Sequence, residues 1–424
     1  MTMRQEVIPL RHGSMRSRNL AVVLGEISRR QPVSRARLAE ATGFTKTTVS
    51  SLVASLAGAG LVREDGPVRD GERGRPATAV SLNGDRVAGL GLEVNVDYLA
   101  ACVLDLGRRI RHRHIVAASN RGREPERVIA ALTSLASRAI AAAGDQGLSV
   151  AGAVVALPGA LDRSGRRLRT APNLGWNDVA AGELLNAGLP PLPLPADYDN
   201  EANLAALGEL WFGDGPELGS YVHVSGEIGI GAGIVVDGRV FRGAHGFAGE
   251  LGHVVVDPGG PPCACGGRGC LEQVAGQEAI LRAAGMAETT ATSSASPDGP
   301  LSALVARLER GDERALAAVR RAGESLGQAL AAAVNLLDPD TIVLGGIFSG
   351  LAPWARPAAE AALAGGAGLV RDSPPRITVS RLGGDAAALG AASLVVERVL
   401  DDPASLLGQA VRGPAGGYGP VGGP

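Results

Sequence analysis

The chain has 424 residues, 45% of them hydrophobic, and a net charge of -2. That length exceeds one ordinary core and predicts two or three domains, while its apolar runs fall short of a membrane span. No charged segment leads into an apolar one at the start, so the sequence reads as a cytoplasmic protein, nucleoid-associated when bound to DNA. The charge is uneven: residues 1–86 carry fourteen Lys or Arg against eight Asp or Glu, net +6, and the other 338 carry 27 against 35, net -8. A basic head on an acidic body predicts that the head meets a polyanion.

Leu20, Val23, Leu24 and Ile27 recur at helical spacing, and Pro32 ends that first helix. Ser34 is placed to cap a second helix that carries Leu38 and Ala39 inward and stops at Gly43. A third begins near Thr45 and buries Val49, Leu52, Val53 and Leu56, completing a helix-turn-helix plan. Its outward face holds Lys46, the only lysine in the chain, with Thr47, Thr48, Ser50, Ser51 and Ser55. These are short donors beside one cation, suited to phosphates and base edges. Two short strands around Leu61–Val62 and Ala79–Leu82 flank Gly71-Glu72-Arg73-Gly74-Arg75-Pro76, a basic wing tip slim enough for a minor groove. Arg35, Thr45, Lys46, Thr47, Thr48, Ser50, Ser51, Arg73 and Arg75 are therefore the expected DNA contacts. A three-helix bundle that merely packs on the body is the alternative, and arginines beside glycine disfavour it.

From Val87 onward, strand-like runs (Val87–Leu92, Leu99–Leu106, Val150–Leu157) alternate with Ala-rich helices such as Glu126–Ala143, an α/β pattern. A polar low-complexity loop is expected from about Gly285 to Pro300, and a disordered Gly- and Pro-rich tail over 401–424. His253, Cys263, Cys265 and Cys270 lie within eighteen residues, separated by small residues that let the backbone bend. Three thiolates and one imidazole complete a tetrahedral zinc shell with no open position, so the expected metal is structural Zn2+. A Cys265–Cys270 disulfide is the alternative, and it strands Cys263.

Gly249-Glu250-Leu251-Gly252-His253, the cysteine run ending Gly269-Cys270-Leu271-Glu272, Asn200-Glu201-Ala202-Asn203 and Leu344-Gly345-Gly346 together resemble the ROK family of repressors, open reading frames and kinases. The resemblance implies an α/β, two-lobed actin-like ATPase (ribonuclease H-like) fold preceded by an all-α winged helix-turn-helix domain. Residues 1–86 are then the winged head. Residues 87–198, completed by about 384–400, form the N-terminal lobe, and 199–383 form the C-terminal lobe with the zinc site. It implies sugar contacts at Gly159, Asn200, Glu201, Glu250, His253 and Glu272, with Asn173 and Trp176 at the cleft mouth. His253 is then shared, one ring nitrogen on zinc and the other toward the sugar.

Family kinases carry Asp-x-Gly-Gly-Thr at the end of the first strand of the body, where this chain reads Glu93-Val94-Asn95-Val96-Asp97. Side chains at Asn95 and Val96 and the charge of Asp97 oppose a polyphosphate. Glu201 replaces the aspartate that serves as base, leaving a vestigial base position and no catalytic residue. The segment from Ser225 to Gly233 serves equally as a tight hairpin or as a phosphate cradle. The reading that follows is a sugar-responsive, DNA-binding transcriptional regulator, a repressor of carbohydrate-utilisation genes in the xylose-repressor-like branch. It would act as a homodimer or homotetramer on operator DNA, with no membrane partner. The alternatives are a ROK-type sugar kinase fused to a DNA-binding domain, and a zinc-stapled factor that reads a protein partner.

Overall fold

A computed structural model describes residues 12–68, 77–162, 167–286, 299–368 and 373–407. In the head, α1 (His12–Arg30) buries Leu20, Val23, Leu24 and Ile27 as its spacing requires. The chain then forms β1 (Val33–Ser34), a two-residue strand the sequence did not announce. Ser34 caps α2 (Arg35–Thr42), its Oγ accepting the Arg37 N–H at 3.3 Å, and Gly43 closes it at φ 72°, a left-handed turn glycine adopts without strain. Thr45 caps α3 (Lys46–Gly58) by accepting the Thr48 N–H at 3.1 Å. Strands β2 (Val62–Val68) and β3 (Ala77–Leu82) pair antiparallel, and β1 joins β3 to give the order β1-β3-β2. The wing tip with Arg73 and Arg75 lies outside the described residues.

The first lobe runs through β4 (Val87–Val94), β5 (Tyr98–Asp105), β6 (Ile110–Ala117), α4 (Pro125–Asp145) and β7 (Ser149–Leu157). A small sheet of β8 (Ala160–Leu161), β9 (Leu168–Ala171) and β10 (Trp176–Val179) follows, then α5 (Ala181–Gly188) and β11 (Asp197–Asn200). The main sheet has the order β11-β7-β4-β5-β6, with β4 parallel to β7 and antiparallel to β5. Both faces of β4 and β5 are buried, which is why they read as unbroken apolar runs. Helix α4 is long and apolar enough to cross a membrane, a length the sequence reading missed. Its Val128, Ile129, Leu132, Leu135 and Ala136 are instead buried in the lobe core.

Helices α6 (Glu201–Phe212) and α7 (Gly215–Leu218) lead into the second lobe: β12 (Tyr221–Gly226), β13 (Ile230–Val236), β14 (Arg239–Val240), α8 (Glu272–Ala275), α9 (Gln277–Ala283), α10 (Pro300–Glu309), α11 (Glu313–Leu337), β15 (Thr341–Gly346), α12 (Ile347–Gly366) and β16 (Arg376–Val379). Its sheet order, β14-β13-β12-β15-β16, is that of the first lobe read from the other edge, with the same strand directions. The lobes then exchange helices. Helix α6 packs on β12 and β13, while α13 (Ala386–Asp401) returns to cover β4 and β7. The two cross at Gly208 and Gly390, where a Cβ on either glycine would overlap a carbonyl of the opposing helix.

One apolar core joins the head stripe, α13 residues such as Val395 and Val399, and Leu204 and Ala205 of α6. The tail departs from expectation at its start: Ala404–Leu407 forms a helical turn, α14, that packs near α1 because Leu406 is buried in that core. Residues 408–424, like 287–298 of the expected polar loop, lie outside the described residues.

Candidate functional site

Helix α6 begins where β11 ends, and the residue at that junction organises the cleft. Asn200 Oδ1 accepts the N–H groups of Ala202 at 2.9 Å and Asn203 at 3.3 Å, and its Nδ2 donates to the Gly159 carbonyl at 2.9 Å. Two acceptor sites and one donor are thereby used, leaving one amide N–H for a ligand. Asn200 thus acts first as the cap that fixes Glu201 at the helix start. Gly159 stands at φ 100°, where a Cβ would strike the Thr170 carbonyl, so the turn between β7 and β8 admits only glycine.

From the other lobe, Gly249-Glu250 and the 3-10 turn Leu251–His253 pass beneath β13, the Gly249 carbonyl accepting the Ala232 N–H at 2.8 Å. All six expected sugar residues, Gly159, Asn200, Glu201, Glu250, His253 and Glu272, line one cavity between the lobes, spanning 113 positions of sequence. Asn173 lines it as well. Trp176 does not: it is buried in the first-lobe core with its Nε1 donating to the Arg123 carbonyl at 2.7 Å, since an indole buries more apolar area than a cleft mouth offers.

Behind that floor, His253, Cys263, Cys265 and Cys270 bring one ligand atom each to within 4.8 Å of all the others. Cys263 Sγ lies 3.7 Å from His253 Nδ1, and the Cys265 and Cys270 sulfurs are 3.7 Å apart. A tetrahedron with Zn–S near about 2.3 Å has edges of about 3.8 Å, so the donor set and spacing fit a divalent metal. Cys263 Sγ also meets Glu272 Oε1 at 3.0 Å, and burial pushes this thiol well up. The His253 Nε2 side faces Glu250, whose Oε2 is 3.7 Å away. One ring nitrogen therefore addresses the sulfur cluster and the other the cleft.

The inner end of the cleft is different chemistry. Glu93 from β4, Glu201 from α6 and Glu227 from the β12–β13 turn line a second, smaller cavity with Tyr98 and His223, and no Lys or Arg lines it. Tyr98 donates its hydroxyl to Glu93 Oε1 at 2.6 Å, but Glu93 Oε2 and both ring nitrogens of His223 are buried without partners. Burial above all, with repulsion from neighbouring carboxylates, raises Glu93 to about 7 and Glu201 to about 8, and drives Glu227 well above the usual carboxylate range. Burial also lowers His223 to about 4. Glu227 Oε1 stands 3.1 Å from where a Cβ on Gly346 would be, at the start of α12.

Asn95 and Val96 were expected to oppose a phosphate. Val96 is buried in the first-lobe core, and neither residue lines the inner cavity. Glu93 and Glu227 line that cavity instead. His223 was missed in the sequence, although a histidine inside the apolar strand Tyr221–Gly226 is the kind of break that marks such a group.

On the head, Thr45, Lys46, Thr47, Ser50 and Ser51 are exposed, whereas Thr48 is half-buried with its hydroxyl 2.9 Å from that of Thr45. Arg35 pairs with Glu64 of β2 at 2.5 Å, tying α2 to the wing strand rather than standing free. Arg16 of α1, which the sequence reading passed over, donates to Ser55 Oγ on α3 at 2.8 Å.

The ROK family profile matches residues 89–398, and that of the MarR family matches residues 20–74. The xylose repressor of Bacillus spizizenii is 30% identical over 386 residues, covering 90% of this chain and 96% of the repressor. A crystal structure of a ROK family transcriptional regulator, homolog of the E. coli MLC protein, superposes with a TM-score of 0.75 at 26% identity, covering 94% of this chain and 99% of the other. A ROK family glucokinase from Streptomyces griseus, in complex with glucose and AMPPNP, gives a TM-score of 0.61 at 27% identity over 72% of this chain and 98% of the kinase.

Proposed function

The chain belongs to the ROK family, and on that premise we propose that it is a sugar-responsive transcriptional regulator acting in the cytoplasm on operator DNA. The observation that carries this reading is continuity: one apolar core links the winged head, α13 and α6, and α6 begins at Asn200 and Glu201 in the cleft. A monosaccharide in the cleft is held by groups that both donate and accept, Glu201, Glu250 and Glu272 with the remaining Asn200 amide hydrogen and the His253 ring. Its binding draws the second lobe onto the first and tilts α6 against α13 at the Gly208–Gly390 crossing. Helix α13 packs on α1, so the tilt reaches the DNA-reading helices.

The bound metal is zinc in this reading, held by His253, Cys263, Cys265 and Cys270, and it fixes the His253 ring and the Glu272 backbone beneath the sugar. The chain acts as at least a dimer, since two heads on two half-sites multiply a modest affinity. It does not phosphorylate its sugar in this reading, since the carboxylates of Glu93 and Glu227 line the inner cavity, where they oppose a polyphosphate. An ADP-release assay with ATP and a monosaccharide panel is expected to show no turnover; zinc-dependent turnover abolished by Glu201→Gln would favour the kinase reading. For the regulator reading, anisotropy on a duplex selected from a random pool is expected to change with one monosaccharide, and Glu250→Ala should abolish that response while sugar-free DNA binding persists. A DNA affinity unmoved by every monosaccharide overturns it.

A further inference from the structure

A cation beside the ligand is the strongest handle on a phosphate ester, and the residues that line the cleft supply no Lys or Arg for it. The nearby arginines are already paired: Arg242 with Asp199 at 2.5 Å and Arg113 with Asp385 at 2.6 Å. The first N–H groups of α6 are consumed by the Asn200 cap. The starts of α12 and α13 also reach the inner cavity, through Gly346 and through Ala386 and Ala387, and Glu227 brings its carboxylate beside Gly346. Carboxylates are what the cleft does present, with Glu201, Glu250 and Glu272 at the outer end and Glu93, Glu201 and Glu227 at the inner end.

We propose that the cleft selects an uncharged monosaccharide and rejects the phosphate esters of the same sugar, and that Glu227 and Glu93 set this selectivity. This rests on the reading of the cleft as a monosaccharide site and narrows it to one ligand class. The position of the ester on the sugar matters little, because carboxylates line both ends of the cleft and the basic side chains among the lining residues are only the imidazoles of His253 and His223, the latter held neutral by burial. The inner cavity holds room for about one water-sized body, so a phosphate also lacks the space to bring its own counterion and water. Hydroxyl groups suffer neither problem, since each donates to a carboxylate or accepts from its protonated form.

The groups that face this inner end are Glu93 from β4, Asp97 from the β4–β5 turn, Tyr98 from β5, Glu201 from α6, His223 from β12, Glu227 from the β12–β13 turn and Asp385 ahead of α13, with Arg113 paired to the last. Burial raises Glu93 to about 7 and Glu201 to about 8. The nest therefore gains negative charge as pH rises through 7 to 8, and rejection of an ester should strengthen over that interval.

Isothermal titration of the metal-loaded full chain with glucose, mannose, N-acetylglucosamine and xylose, and with the 6-phosphates of the first three, tests this. A free sugar is expected to bind, and its 6-phosphate to bind at least about thirtyfold more weakly at pH 8, with the ratio shrinking toward pH 6. Glu93→Gln should bring the ester closer to the free sugar by roughly tenfold and flatten the pH dependence. The wild-type pH series stands by itself should that variant fold poorly. An ester that binds as tightly as its free sugar at pH 8 overturns this inference and leaves the monosaccharide reading standing. Binding of neither sugar nor ester overturns the monosaccharide reading and this inference with it.

Discussion

The two lobes are built on one strand order, yet they carry different cargo. The first supports the head: α13 lies on its sheet and α1 lies on α13. The second carries the sulfur cluster in the loop after β14, where the first lobe has only the direct passage from β6 to α4. What the lobes share makes a frame, and what they do not share makes the site, as expected where function is grafted on a common fold. The exchange of α6 and α13 is the single feature that belongs to both.

That shared feature is where the comparison breaks most readily. Gly390→Leu should cost about 3 kcal/mol or more, because its side chain has only the Leu204 carbonyl and the Gly208 backbone to enter. Denaturant unfolding followed by probes in each lobe should show both lobes losing stability together. Destabilisation confined to the first lobe would mean that α13 serves its own sheet alone.

Next in size is a change confined to the second lobe. Cys265→Ser should take metal content from about one ion per chain to well below that and weaken monosaccharide binding by about ten- to a hundredfold, through release of His253. Elemental analysis after dialysis and titration with the sugar check the two halves. The first lobe and head should keep their sugar-free DNA affinity.

Between the lobes, pH is the probe. Glu93 and Glu201 titrate higher in the folded chain than unfolded, so the native state holds protons that the unfolded state has released. Stability should therefore be full below about pH 4.5 as far as these two groups are concerned, and fall as pH rises from there toward 8, on the order of a few kcal/mol. The combined Glu93→Gln and Glu201→Gln variant should flatten that fall, as read from urea midpoints across the range. A slope unchanged by both substitutions would show that these carboxyls titrate as solvated groups.

The smallest effect is expected in the head. Replacing Arg73 and Arg75 by alanine should lower the salt slope of DNA binding by about two without altering which sequence is preferred, whereas changes at Thr47 or Ser51 should alter preference.

The head was largely legible in the sequence because its signals are local. The stripe from Leu20 to Ile27, the Ser34 cap, the helix start near Thr45 and the Gly43 stop each depend on neighbours within a turn or two, and each appears as read. The sulfur cluster was legible for the same reason. Strand β1 was not, since two residues become a strand only by pairing with Val80 and Ala79 some forty-five positions away. The carboxylate nest was half legible. Asn95, Val96 and Asp97 stood out as departures from a glycine motif, but that Glu93, Glu201, Glu227 and His223 meet follows from the packing of two lobes. Trp176 was misplaced because its neighbours Asn173 and Gly175 suggested a loop at the cleft, while its own area drew it into the core.

Lys46 is the one lysine of the 424 residues, and it opens the exposed face of α3. Every other cation of the head is a guanidinium, so an amine-selective acylating reagent has a single side chain to modify in the whole molecule, seated on the surface proposed to meet DNA. The rate of acylation at Lys46 becomes an intrinsic footprint of occupancy, slow while the operator covers α3 and fast when α3 is bare, read from the mass of the Lys46 peptide without any label engineered into the chain.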